Sequence, residues 1–167
     1  MLDIGCAYGY FLKLCDEVEC ETYGVDISEN AIQQAQKETK AVLFIHDVNN
    51  GLSMFPKDFL NLITMFDVIE HLNSPFTILK EISRKLKVGG KLIITTPNAN
   101  ALERLLKKVL NREKNWHGFK DKTHQHLFTP LTLRFIVEKA GLKILKVETP
   151  FHPLPKILQK LLNKTEV

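Results

Sequence analysis

Leu2-Asp3-Ile4-Gly5-Cys6-Ala7-Tyr8-Gly9 sets two glycines four residues apart, directly after a short apolar run. Glycine adopts positive φ freely and lets a ligand approach the backbone closely. The helix expected to follow offers unpaired N–H groups to an anionic or strongly polar ligand group. Asp26 lies 21 positions after Gly5, at the end of the next apolar run. A carboxylate there can accept hydrogen bonds from two adjacent ribose hydroxyls. Together these residues point to a nucleoside-containing cofactor. A nicotinamide cofactor would usually be marked by G-x-G-x-x-G. Here the spacing is G-x-x-x-G, with Ala7 between and an acid two residues ahead of the first glycine.

Short strands alternating with helices must position these groups. Met1–Ile4, Glu21–Asp26, Ala41–Asp47, Leu60–Phe66 and Lys91–Thr96 read as strands, and Leu142–Val147 as a sixth. Helices are expected from Tyr10 to about Glu19, and from the N-cap Ser28 to about Thr39. A third begins at Ser74-Pro75 and is stopped by Gly89-Gly90, and a fourth begins at Thr129-Pro130 and ends at Gly141. This alternation predicts an α/β fold, a doubly wound and mostly parallel sheet with helices on both faces. In such sheets ligands bind beyond the carboxyl ends of the strands. Gly5, Asp26, Asp47, Asp67 and Pro97-Asn98 all fall at those ends.

The 167 residues suit one domain, and 44% hydrophobic with 25% charged residues is an ordinary globular mix. No apolar run is long enough for a membrane span. The N-terminus lacks a secretory pattern, and three cysteines without metal-type clustering read as reduced thiols, so a cytoplasmic protein is expected. The net charge of +4 hides an asymmetry: residues 1–75 carry 4 basic and 12 acidic side chains, residues 76–167 carry 19 and 7. The basic half could attract an anionic partner. Residues 1–150 read as one domain with a lid-like insertion at about 98–128, which includes an amphipathic helix (Leu102, Leu105, Leu106, Val109, Leu110), Trp116, His117, His124 and His126. Residues 151–167 read as a basic amphipathic tail.

Leu2–Gly9 resembles motif I of the class I S-adenosylmethionine-dependent methyltransferases. Tyr23–Ser28 resembles their second motif, Phe59–Leu72 their fourth-strand region, and Leu86–Leu92 the turn into their fifth strand. His126–Pro130 with Leu133 and Ala140-Gly141-Leu142 is similar to the later part of the same group, so that the resemblance covers about residues 1–148. It implies the Rossmann-like methyltransferase fold and S-adenosylmethionine as cofactor. It further implies that Gly5, Ala7 and Gly9 line the methionine portion, with Asp3 supporting its amino group. Asp26 would hold the ribose, Ile27 would pack on the adenine, Asp47 and Val48 would meet its edge and face, and Phe66 and Asp67 would close the methionine side. The family has a longer first strand and an N-terminal helix, and this chain starts almost at the motif, so a truncated chain is expected, with a homodimer or companion chain to cover the cofactor.

The expected reaction is methyl transfer to a small-molecule or glycan-precursor acceptor at oxygen. A hydroxyl acceptor needs its proton removed, and histidine suits that task near neutral pH. His71 and His126 are the candidate bases. Asp67, Glu70 and His71 stand at i, i+3 and i+4, the spacing of one helical face. With His124 or His126 they could hold a divalent metal, similar to the sites of small-RNA 2′-O-methyltransferases and ubiquinone-biosynthesis O-methyltransferases, although the reading adopted has none. A single Trp argues against a stacking platform for single-stranded RNA, so no stable nucleic-acid complex is expected. The alternatives are a metal-dependent RNA 2′-O-methyltransferase and a non-catalytic cofactor-binding module.

Overall fold

The computed structural model describes residues 1–18, 20–100, 109–110 and 121–149. Along the chain run β1 (Leu2–Ile4), α1 (Tyr10–Asp16), β2 (Tyr23–Asp26), α2 (Glu29–Glu38), β3 (Val42–Ile45), β4 (Leu60–Phe66), α3 (Pro75–Lys85), β5 (Leu86–Thr95) and α4 (Pro130–Lys139). Single 3-10 turns follow β3 (Val48–Asn50) and β4 (Ile69–His71). The five strands form one parallel sheet in the order β3-β2-β1-β4-β5. Chain order therefore reverses between β1 and β4, which opens a crevice at the carboxyl ends of the central strands.

The sheet separates two apolar clusters, one on each face. Leu2, Ile4, Val25, Ile63 and Met65 face the larger one, under Ile78, Leu79 and Ile82 of α3. Cys6, Leu12, Ile32 and Leu43 form the smaller one under α1 and α2. Gly24 belongs to this second face. A Cβ there would stand 2.6 Å from Leu12 Cδ1 and 2.7 Å from Leu43 Cδ2, so its absence lets α1 settle onto β2. The α2 and α4 caps agree with the sequence reading. Ser28 accepts from the Ala31 N–H, and Thr129 and Thr132 form a reciprocal capping box.

Two expectations are corrected. Helix α3 ends at Lys85 rather than at Gly89-Gly90, because β5 already begins at Leu86. The glycines lie in a bulge, where Leu60 pairs with Leu86 but Leu62 pairs with Lys91. The stretch Leu142–Val147 is not a strand. Leu142 and Ile144 pack on the core, but among the described residues no neighbouring strand supplies a ladder for their backbone. The expected helix around Leu102–Leu106, Trp116 and His117 of the insertion, and the basic tail at 151–167 lie outside the described residues. Among the described residues no helix is long and apolar enough to cross a membrane.

Gly24→Ala should lower stability by about 1–3 kcal/mol through overpacking, read as a lower urea midpoint with an unchanged m-value. An unchanged midpoint would mean that α1 is not held at this distance.

Candidate active site

The glycine turn is built from β1 outward. The Gly5 and Cys6 N–H groups both donate to the Val25 carbonyl, at 2.7 and 3.1 Å, so the chain leaves β1 tied to β2. Gly5 has φ 75° and its Cα lies so close to Val68 that a Cβ would overlap the Val68 side chain. Ala7 takes φ 45°, a left-handed conformation that costs a non-glycine residue roughly 1 kcal/mol. That strain is held by a hydrogen bond: the Ala7 N–H donates to Asp26 Oδ2 at 2.9 Å. The Ser28 N–H donates to Asp26 Oδ1 at 2.8 Å. One carboxylate therefore joins the turn after β1 to the entry of α2, and each of its oxygens keeps a further lone pair.

Beside this carboxylate lies a cleft of about 260 Å³ at the carboxyl ends of β1, β2 and β3. Of the residues singled out in the sequence, Gly5, Asp26, Ile27, Asp47, Val48 and His71 line it. Ile27 is 68% exposed although it is a large apolar residue, as suits an apolar ligand face. Asp47 caps the 3-10 turn, its Oδ1 accepting from the backbone and side-chain nitrogens of Asn49, both at 2.9 Å. His46 and Asn49 also line the cleft and were not singled out. Their position one and two residues from Asp47 was the only available signal.

The remaining candidates lie around the cleft rather than on its wall. Gly9 packs against Ala35 of α2. Phe66 meets Phe11 edge to face at 5.1 Å. Asp3 is buried beneath the turn, where it accepts from Thr64 Oγ1 at 2.6 Å. Burial, with a smaller contribution from Asp26, pushes the Asp3 carboxyl up to about 6. Burial likewise pushes the Cys6 thiol up to about 12, which leaves it a poor nucleophile.

The expected one-face grouping of Asp67, Glu70 and His71 does not form. Asp67 closes β4 with φ 52°, and its backbone and side chain bond Thr95. Glu70 is buried, with Oε2 accepting from Thr96 and Oε1 without a hydrogen-bond partner. His124, rather than His126, joins them: donor atoms of Glu70, His71 and His124 lie within 4.8 Å of one another. These oxygen and nitrogen donors could share a small divalent cation. The His126 ring lies 6.0 Å from that of Phe128, with Nε2 buried and unbonded.

Known proteins share this architecture. A family model described as a methyltransferase domain matches residues 1–147. The chain is 27% identical over 160 residues to a ubiquinone biosynthesis O-methyltransferase of Coxiella burnetii, covering 92% of this chain and 68% of that one. It superposes on a SAM dependent methyltransferase from Archaeoglobus fulgidus with TM-score 0.69 and 26% identity, covering 98% and 75% of the two chains. A Haloferax volcanii methyltransferase solved in complex with the Trm112 methyltransferase activator shares the fold, with TM-score 0.68 and 19% identity over 89% and 67% of the chains.

Asp3 supplies a test of the buried polar layer. Its folded-state carboxyl titrates near 6 against 3.8 for the free group, so the native state binds the proton more tightly than the unfolded chain. Stability therefore falls as pH rises through that window. Asp3→Asn should gain about 1–2 kcal/mol at pH 7.5 after the cost of an unpaired amide, and the gain should vanish toward pH 4. Thermal melts across pH check this, and a difference independent of pH would contradict it.

Given the match over residues 1–147 and the nucleoside-type cleft at the strand ends, the chain belongs to the methyltransferase domain family, as a class I S-adenosylmethionine-dependent methyltransferase.

Proposed function

We propose that this chain methylates a hydroxyl oxygen of a small-molecule or glycan-precursor acceptor, with His71 as the proton acceptor. The observation that carries the proposal is the placement of His71 on the wall of the same cleft as Gly5, Asp26 and Ile27. The O-methyltransferase name of the Coxiella relative supports oxygen as the target. When bound, S-adenosylmethionine would supply an activated methyl group on a positive sulfur, for in-line transfer to the acceptor oxygen.

The residues present fit that cofactor. Asp26 is already fixed by two N–H donors, so its remaining lone pairs can receive the ribose hydroxyls with little reordering. Ile27 and Val48 would offer apolar surface to the adenine, and Asp47 would meet its edge; all three line the cleft. Gly5, Ala7 and Gly9 would hold the methionine portion, with Asp3, Phe66 and Asp67 around it. Orienting the acceptor against the methyl group can supply roughly 7–11 kcal/mol of the barrier. His71 then takes the hydroxyl proton as the oxygen–carbon bond forms, and His126 is the alternative base. A metal-dependent RNA 2′-O-methyltransferase is the second reading, favoured by the convergence of Glu70, His71 and His124.

Incubation with isotopically labelled methyl donor and a panel of phenolic, sugar-linked and RNA acceptors, with and without a chelator, separates the readings. Label in a hydroxylated small molecule regardless of chelator is expected. Label only in RNA, lost with chelator, would establish the second reading. Cofactor binding with no labelled product would make the chain a non-catalytic module. Asp26→Ala should weaken cofactor binding by about 1.5–3 kcal/mol, measured by calorimetry. His71→Gln should reduce turnover about 10²–10⁴-fold with cofactor affinity retained, and equal turnover would remove it from the chemistry.

A further inference from the structure

The segment 121–128 crosses the mouth of β4 and is stitched to the turn that carries His71. The Gln125 and His126 N–H groups both donate to the Glu70 carbonyl, at 2.8 and 3.0 Å. The Gln125 amide donates to the His71 carbonyl and to Asn73 Oδ1. Farther along, the Ala99 N–H donates to the Phe128 carbonyl at 2.7 Å. This strap presents Thr123 to the imidazole: Thr123 Oγ1 lies 2.9 Å from His71 Nδ1.

The direction of that bond follows from the next one. Thr123 Oγ1 donates its hydrogen to Asp121 Oδ1 at 2.6 Å, and the Thr123 N–H donates to the same oxygen at 2.8 Å. The Thr123 hydroxyl and backbone bonds hold the Asp121 carboxyl below its ordinary range, so it stays an acceptor. A hydroxyl has one hydrogen. With that hydrogen committed to Asp121, the oxygen can only accept from His71, and Nδ1 must carry the proton. Other groups facing this ring are His124, whose ring centroid is 4.6 Å away and whose Nε2 lies 3.8 Å from Asp121 Oδ2, and the buried Glu70.

We propose that Asp121 and Thr123 are positioning residues that lock His71 in its Nδ1–H tautomer, leaving the Nε2 lone pair as the one that serves the cleft. The catalytic consequence rests on the reading of His71 as proton acceptor, whereas the tautomer itself does not. Without the relay, a neutral imidazole favours the Nε2–H form, and the fraction of chains holding a usable lone pair at Nε2 falls. Removing only Asp121 goes further: the Thr123 hydrogen becomes available to Nδ1, which would then be the unprotonated nitrogen.

The test is long-range proton–nitrogen NMR of histidine-labelled protein at pH 8, with His71→Gln assigning the resonances. Wild type should show a protonated Nδ1 and a bare Nε2 at His71, and Thr123→Ser should retain the pattern. Thr123→Val should lose it, and Asp121→Ala should invert it. A wild type with the proton on Nε2, or an unchanged tautomer in a folded Thr123→Val or Asp121→Ala variant, would overturn the proposal. Calorimetric titration with S-adenosylmethionine runs beside it. Failure of wild type to bind would sink the proposed function and leave the tautomer result standing.

Discussion

The carboxylate of Asp26 is the joint on which the site depends. It ends β2, yet both of its oxygens are occupied by backbone N–H groups of neighbouring turns, Ala7 on one side and Ser28 on the other. Hydrogen bonds to a charged acceptor are stronger than those between neutral groups. This pair fixes the exit of β1 and the entry of α2 relative to each other. It also offsets the left-handed strain at Ala7. The same carboxylate that shapes the cleft is the one proposed to grip the ribose, so preorganisation and binding use one group. Its place follows from the strand order, since chain order reverses between β1 and β4 and the crevice opens there.

Beneath this joint the molecule accepts polar burial where an apolar residue would be more stable. Asp3 is buried and accepts from Thr64, and burial pushes its carboxyl up. Glu70 is buried with one oxygen unbonded. Both flank the cleft. Buried polar groups of this kind are costly where a hydrogen bond is missing, and proteins retain such groups where a ligand or a reaction uses them. The large core under α3 and α4, built from aliphatic and aromatic side chains, supplies the stability that tolerates this layer.

Much of this was legible in the residues. The five strands, the glycine turn and the placement of acids at strand ends follow from local rules: short apolar runs between helical patterns, capping chemistry at Ser28 and Thr129, and the special backbone freedom of Gly5. Six of the twelve singled-out site residues line the cleft, because the ends of parallel strands converge there. The errors share a cause. A strand at Leu142–Val147 needs a partner that lies elsewhere in the chain. The grouping of Asp67 with Glu70 assumed a helix, but the chain makes a 3-10 turn only from Ile69, after Asp67 has turned toward Thr95. Which of His124 and His126 joins Glu70 and His71, left open by the residues alone, depended on how a distant strap docks.

The sequence by itself determined which groups stand at the end of each strand, because alternation and caps are local and each residue's neighbours in the chain are known. Tertiary structure alone decided which of those groups meet. The approach of Val68 to Gly5, the pairing of Asp3 with Thr64, and the delivery of Thr123 to His71 across 52 positions are set by packing between elements far apart in the chain. Such contacts form only when the whole sheet and its helices close around one core.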